Sequence, residues 1–126
     1  LEQKNSELEI ILKDPDITLE VDTNLIEQVL INLLVNAIDA VKDAKEPRIV
    51  LSGERVRDRV SIRVTDNGYG MSAEVMENIF VPFFSTKKTG SGIGLSLCKQ
   101  IMMLHKGNIT VQSLEGEGSV FTLQFP

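Results

Sequence analysis

Residues 24 to 42 constrain this chain more than any other stretch. At about 100° per residue, Leu25, Ile26, Val29, Leu30, Ile31, Leu33, Leu34, Val35, Ala37 and Ile38 cover most of a helix circumference. A helix that is apolar nearly all round belongs inside a core. Thr23 or Asn24 is a plausible cap, the periodicity runs to Val41 or Lys42, and Pro47 breaks the chain beyond. One stripe, roughly 80° wide on that wheel, is polar. It holds Gln28, Asn32, Asn36 and Asp39. A buried amide without partners costs about 1–3 kcal/mol, so two in one core helix need a reason. Either they bond to neighbouring backbone, or the stripe faces something polar that is itself enclosed.

Around this helix the periodicity is that of strands. "ITLEVD" at 17–22 alternates Ile17, Leu19 and Val21 and predicts a strand. "RIVLS" at 48–52 and "RVSIRVTD" at 59–66 alternate on either side of a hairpin connection, "ERVRD". Arg59, Ser61 and Arg63 mark the wet face of the second. Ser72 caps a short helix, "AEVMENIF", and a further helix starts near Gly94. "NITVQS" and "SVFTLQF" close the chain as a strand pair around "EGEG". Segregated hairpins and helices predict an α+β fold, a two-layer sandwich. Its sheet would be mixed but mostly antiparallel, with helices on one face. Residues 1–12 are expected to be a linker or the stub of a preceding domain, and 13–126 one domain. The chain begins at Leu1 without a methionine, which suggests a piece of something longer.

A formal charge of −5 argues against a non-specific nucleic-acid surface, although local donors and a metal still permit one bound anion. No run of about 18 apolar residues is present to cross a bilayer, and no signal-peptide pattern is seen. Cys98 is the only cysteine, which rules out an internal disulfide and fits a small buried thiol in a reducing setting.

Two glycine-rich boxes punctuate the chain. "DNGYG" at 66–70 sets a carboxylate, Asp66, at the end of a predicted strand. It is good turn chemistry, and it is equally an acceptor for an exocyclic amine with Gly68 and Gly70 allowing close approach. "KKTGSGIGLSL" at 87–97 alternates Gly90, Gly92 and Gly94 before an apolar helix, with Lys87 and Lys88 at hand. Free N–H groups at that helix start suit an anion, against the alternative of a flexible loop with solvated lysines. The GxxxxGK[ST] loop, a strand-preceded GxGxxG and the protein-kinase HRD and DFG motifs are all missing.

Asn-xxx-Asn on a helix, then DxGxG, then "PFF", then GxGxG opening a helix, resembles the catalytic ATP-binding domain of sensor histidine kinases in the GHKL superfamily. The resemblance spans roughly residues 17 to 126. It implies the following roles. Asn36 matches the asparagine whose oxygen binds Mg²⁺ between the ATP phosphates, and Asn32 its partner near the metal and its waters. Asp66 matches the carboxylate that receives the adenine amino group. Gly70 lets backbone approach the base, and Ala40 and Gly68 line the same pocket. Ile79 and Phe84 match apolar contacts to the nucleotide. Lys87 resembles a phosphate-reaching lysine of one branch. Gly90, Gly92, Gly94 and Leu95 match the segment closing over the phosphates, and about 71 to 91 would be the ATP lid.

The same resemblance implies transfer of the γ-phosphoryl group to a histidine on a separate dimerisation domain, and a response regulator downstream. It implies a homodimeric parent whose cytoplasmic part includes this domain, monomeric by itself, and it is compatible with a membrane-anchored parent. Asn32 stands where gyrase-like branches carry a catalytic glutamate, which favours kinase over ATPase. Asp39 stands where many relatives carry lysine. His105 is the only histidine and reads as structural. A serine kinase of the anti-sigma type and a nucleotide-binding scaffold without catalysis are the alternatives.

Overall fold

The computed structural model describes residues 7–13, 17–84 and 94–126. Five strands form one sheet: β1 (Glu7–Leu12), β2 (Arg48–Val56), β3 (Arg59–Asp66), β4 (Asn108–Leu114) and β5 (Gly118–Phe125). The spatial order is β1-β2-β3-β5-β4. β1 runs parallel to β2, and every other pairing is antiparallel. Three helices, α1 (Thr23–Ala40), α2 (Ala73–Asn78) and α3 (Gly94–Leu104), complete the described fold. α1 packs on β3 and on α3, while α2 and α3 pack on β4. This is the expected α+β sandwich.

Register explains the layering. Leu51, Val64, Phe121 and Val111 stand in one row across the sheet, and Ile62, Leu123 and Ile109 in the next. These side chains join Val29, Leu33, Ala37, Cys98, Ile101 and Met102 of the helices in the core. Each fully buried large side chain contributes about 1.5–3 kcal/mol. The intervening rows carry Ser52, Arg63, Thr122 and Thr110 on the open face. There Glu54 accepts from Arg63 at 3.1 Å and pairs with Lys13 at 3.3 Å.

The first strand is a correction. Residues 17–22 are not a strand, and the first strand of the sheet is instead β1, within the stretch expected to be a linker or the stub of a preceding domain. The alternation at 17–22 is real, because Ile17, Leu19 and Val21 all pack against the core. Ile17 reaches over Gly53, within 4.0 Å of where a Cβ would be. The alternation of the segment thus records burial, and among the described residues none forms a ladder with it. β1 shows the converse: Leu8 and Ile10 are exposed at the sheet edge, so pairing with β2, not burial, makes it a strand.

Asp22, not Thr23, caps α1, accepting from the Leu25 N–H at 3.1 Å. The Asp22 N–H donates to His105 Nε2 at 3.0 Å, so Nδ1 carries the imidazole proton and donates to the Ile101 carbonyl at 2.8 Å. His105 therefore ties the end of α3 to the start of α1, the structural role expected of it. His105→Ala should lower stability by about 1–2 kcal/mol, read from urea unfolding. An unchanged midpoint would show that neither bond contributes.

Candidate nucleotide-binding site

α1 brings Asn32 and Asn36 to one side because four residues are slightly more than one turn. Both are half-buried, whereas the core face of the same helix, Val29 and Leu33, is closed to solvent. The two helices meet at this stripe. Asn32 Oδ1 lies 3.5 Å from the point where a Cβ on Gly94 would stand, so the first residue of α3 abuts the earlier of the two asparagines of the stripe. One turn further along α3, the Cys98 thiol contacts the Val29 carbonyl at 3.9 Å. Burial, outweighing the influence of the Asn32 side chain, pushes that thiol up to about 11, so Cys98 stays a neutral packing residue.

The "DNGYG" loop is clamped between the end of α1 and the β4–β5 hairpin. Asp66 ends β3, is 6% exposed, and accepts from the Gly68 N–H at 2.9 Å. Burial raises its carboxyl above the usual aspartate value, against the Gly68 and Ser119 N–H groups that pull it down. A Cβ on Gly68 would come within 2.3 Å of the Ala40 carbonyl oxygen, and the Tyr69 N–H donates to that oxygen at 3.2 Å. Asn67 holds the start of β2, accepting from the Arg48 N–H at 2.8 Å and donating to the Glu46 carbonyl at 2.8 Å. Gly70 has φ +71°, and a Cβ there would stand 2.0 Å from the Leu114 carbonyl oxygen. The close approach that this glycine permits is thus to the hairpin backbone as well as to any ligand.

Two serines that the sequence reading passed over complete this clamp. Ser113 Oγ accepts from the Met71 N–H, donates to the Gly118 carbonyl and meets Ser119 Oγ, each at 2.8 Å. They face each other because the hairpin pairs Ser113 with Ser119, a register set by a turn of residues 115–117 with Gly118 already in β5, one residue short of the full "EGEG". Beside them opens a cleft of about 690 Å³, bordered by Asp66, Met76, Val111, Ser113 and Ser119.

The remaining expected residues are distributed as follows. Leu95 is half-buried against the core. Ile79 closes α2, and the Phe84 N–H donates to the Val81 carbonyl at 3.1 Å. Phe80, between them, meets Phe121 edge-on at 6.4 Å and lies under Lys99 at 5.3 Å. Lys87, Gly90 and Gly92 lie outside the described residues, as does part of the expected lid. Among the described residues, no group of three or more His, Cys, Asp or Glu side chains gathers to hold a metal, and no helix is long and apolar enough to cross a membrane.

Residues 21–126 match the model of the histidine kinase-, DNA gyrase B- and HSP90-like ATPase family. The chain belongs to that family. Within it, the sensor histidine kinase ZraS of Salmonella typhi is 41% identical over 109 residues, which are 86% of this chain and 23% of that protein. The signal transduction histidine-protein kinase AtoS of Escherichia coli K12 is 40% identical over 83% of this chain and 17% of its own length. The chain thus spans about a quarter or less of these relatives. Among solved structures, the catalytic domain of histidine kinase ThkA superposes with a TM-score of 0.84 at 36% identity, covering 95% of this chain and 78% of that one. The fold of this family member is that of histidine kinase catalytic domains, and family membership carries ATP binding with it.

Proposed function

We propose that this ATPase-family domain binds Mg-ATP in the space between the α1 asparagine stripe, the "DNGYG" loop and the start of α3. In that reading it presents the γ-phosphoryl group to a histidine on a separate dimerisation domain of the same protein, with a response regulator receiving it in turn. The observation that carries the reading is the approach of Asn32 to Gly94, its Oδ1 lying 3.5 Å from where a Cβ on that glycine would stand, which brings an amide-bearing helix face to a helix N-terminus. The first supplies neutral oxygen donors, and the second suits anionic phosphate.

The residues present fit magnesium. It prefers one or two protein oxygens completed by phosphate and water, and the Asn36 and Asn32 side-chain oxygens are such donors. Bound there, the ion would neutralise charge on the polyphosphate. Asn36 holds the metal in this assignment, and Asn32 orients it or its waters. Gly94 and Leu95 lend backbone N–H groups, and Lys87 adds positive charge at the phosphates. Asp66 accepts from the base amine, with Ala40, Gly68, Gly70, Ile79 and Phe84 enclosing the nucleoside. Phosphoryl transfer needs little else from a protein than placement and charge neutralisation. The direct test mixes the chain with a cognate phosphoacceptor domain and Mg-ATP. Acid-labile phosphate on that domain is expected, and acid-stable phosphate would point to a hydroxyl acceptor instead.

Asp66→Asn separates the turn from the binding role. The amide keeps an oxygen for the Gly68 N–H, and even if the bond from the Ser119 N–H is lost the loop keeps its anchors at Ala40 and Gly116, so it should stay folded. It replaces the second acceptor oxygen by a donor, so ATP affinity should fall by about 1.5–3 kcal/mol and preference over GTP should vanish. An unchanged ATP:GTP ratio by calorimetry would leave Asp66 a turn residue. Because the folded carboxyl is raised, its charged form is disfavoured. Its contribution to folding is present below the unfolded value and is lost as pH rises through the raised one. Binding runs the other way: wild-type ATP affinity should weaken on acidification through that range, and the Asn variant should not follow.

A further inference from the structure

Asp39 is the one carboxylate on the polar stripe of α1, a turn beyond Asn36. A carboxylate facing a polyphosphate repels it, so its neighbours matter. The Tyr69 hydroxyl donates to Asp39 Oδ2 at 3.1 Å, and Lys42 Nζ stands 3.6 Å from Oδ1. Tyr69 belongs to the loop that holds Asp66, and its backbone is fixed at both ends: its N–H bonds the Ala40 carbonyl and its carbonyl accepts from the Gly116 N–H at 2.7 Å. The phenol is therefore presented from a rigid platform. Its ionisation is pushed up by burial and then by Asp39, with Asp66 adding to the same effect, so it remains a donor at neutral pH.

We propose that Tyr69 is a positioning residue that holds the Asp39 carboxylate against the loop, so that the asparagine stripe accepts a magnesium nucleotide. The proposal rests on the nucleotide reading of the stripe. Lys42 is 61% exposed, and its charge is shared with solvent, so the ion pair alone holds Asp39 weakly. The phenol bond fixes direction as well as charge: one carboxylate oxygen is engaged from the loop side, and the acid cannot swing toward a ligand at Asn36 without breaking it. This also gives the loop a second duty, beyond positioning Asp66.

The experiment is calorimetric titration of ATP into the whole chain, with Mg²⁺ and with chelator, for wild type, Tyr69→Phe, Asp39→Asn and the double variant. Tyr69 is about half exposed, and Phe keeps the ring, so the loop anchors survive the change. Tyr69→Phe should weaken Mg-ATP on the order of tenfold. Adding Asp39→Asn should restore it, because the charge that needed restraint is gone. Asp39→Asn alone should bind as well as wild type and lose less affinity when the metal is chelated. A purely structural tyrosine would not be rescued. Unchanged affinity in Tyr69→Phe overturns the proposal, as does a double variant as weak as Tyr69→Phe. Asn36→Ala in the same titration separates the two failures: wild-type Mg-dependence there would refute the reading of the stripe itself, and the proposal with it.

Discussion

Asn36→Ala should remove Mg²⁺-dependent ATP binding while leaving the fold intact. Alanine is the better helix former, which offsets part of the ~0.5–1.5 kcal/mol that a lost side-chain bond costs, and Asn36 is outside the fully buried core of α1, so the urea unfolding midpoint should move little. Binding is expected to behave differently. Loss of a group that merely supports a metal ligand already costs up to about 100-fold, and loss of a ligand should cost at least as much. Calorimetry with and without chelator reads the effect: in the variant the two titrations should coincide at the weak wild-type value seen with chelator. Wild-type affinity in both conditions would remove Asn36 from the metal, and the asparagine stripe would revert to a pair of amides satisfied within the protein.

The second large effect is expected at Gly70. A methyl group there meets the Leu114 carbonyl oxygen at 2.0 Å, and backbone cannot move aside as a flexible side chain does. The positive φ adds about 1–2 kcal/mol for any residue with a Cβ. Gly70→Ala should therefore push the loop off the hairpin and break the Tyr69–Gly116 and Met71–Ser113 hydrogen bonds. A loss of several kcal/mol in stability is expected, with ATP binding lost alongside because Asp66 and Tyr69 share that loop. Gly116→Ala is the contrast. It too has positive φ, +81°, but nothing lies within 4 Å, so it should show the conformational cost alone. Equal losses in the two variants, measured by thermal unfolding, would mean that the contact with Leu114 contributes nothing.

Both experiments probe features that differ in how far the sequence announced them. The asparagine stripe was legible because helical period and polarity are local properties: four residues bring Asn32 under Asn36 whatever surrounds them. The turn at Asp66 to Gly70 and the helix start at Gly94 were legible for the same reason, since turn chemistry and helix starts are written in adjacent residues. Even the misplaced first strand follows this rule. Alternation at 17–22 correctly reported one buried edge, but a strand also needs a neighbour to pair with, and the alternation carried no information about that. Residues 7–12 have the neighbour without the burial.

What the sequence determined by itself is the set of chemical groups: two amides one turn apart, a carboxylate ending a strand, glycines where backbone must come close, and the periodicities that make one sheet and its helices. What only the tertiary structure decided is which of these groups meet. Gly94 against Asn32 joins positions 62 residues apart, Ser113 and Ser119 close on Met71, and Tyr69 reaches Asp39 across a loop and a helix end. Such meetings depend on strand register and helix packing summed over the whole core, so no local pattern encodes them. Close packing then fixes them to tenths of an ångström.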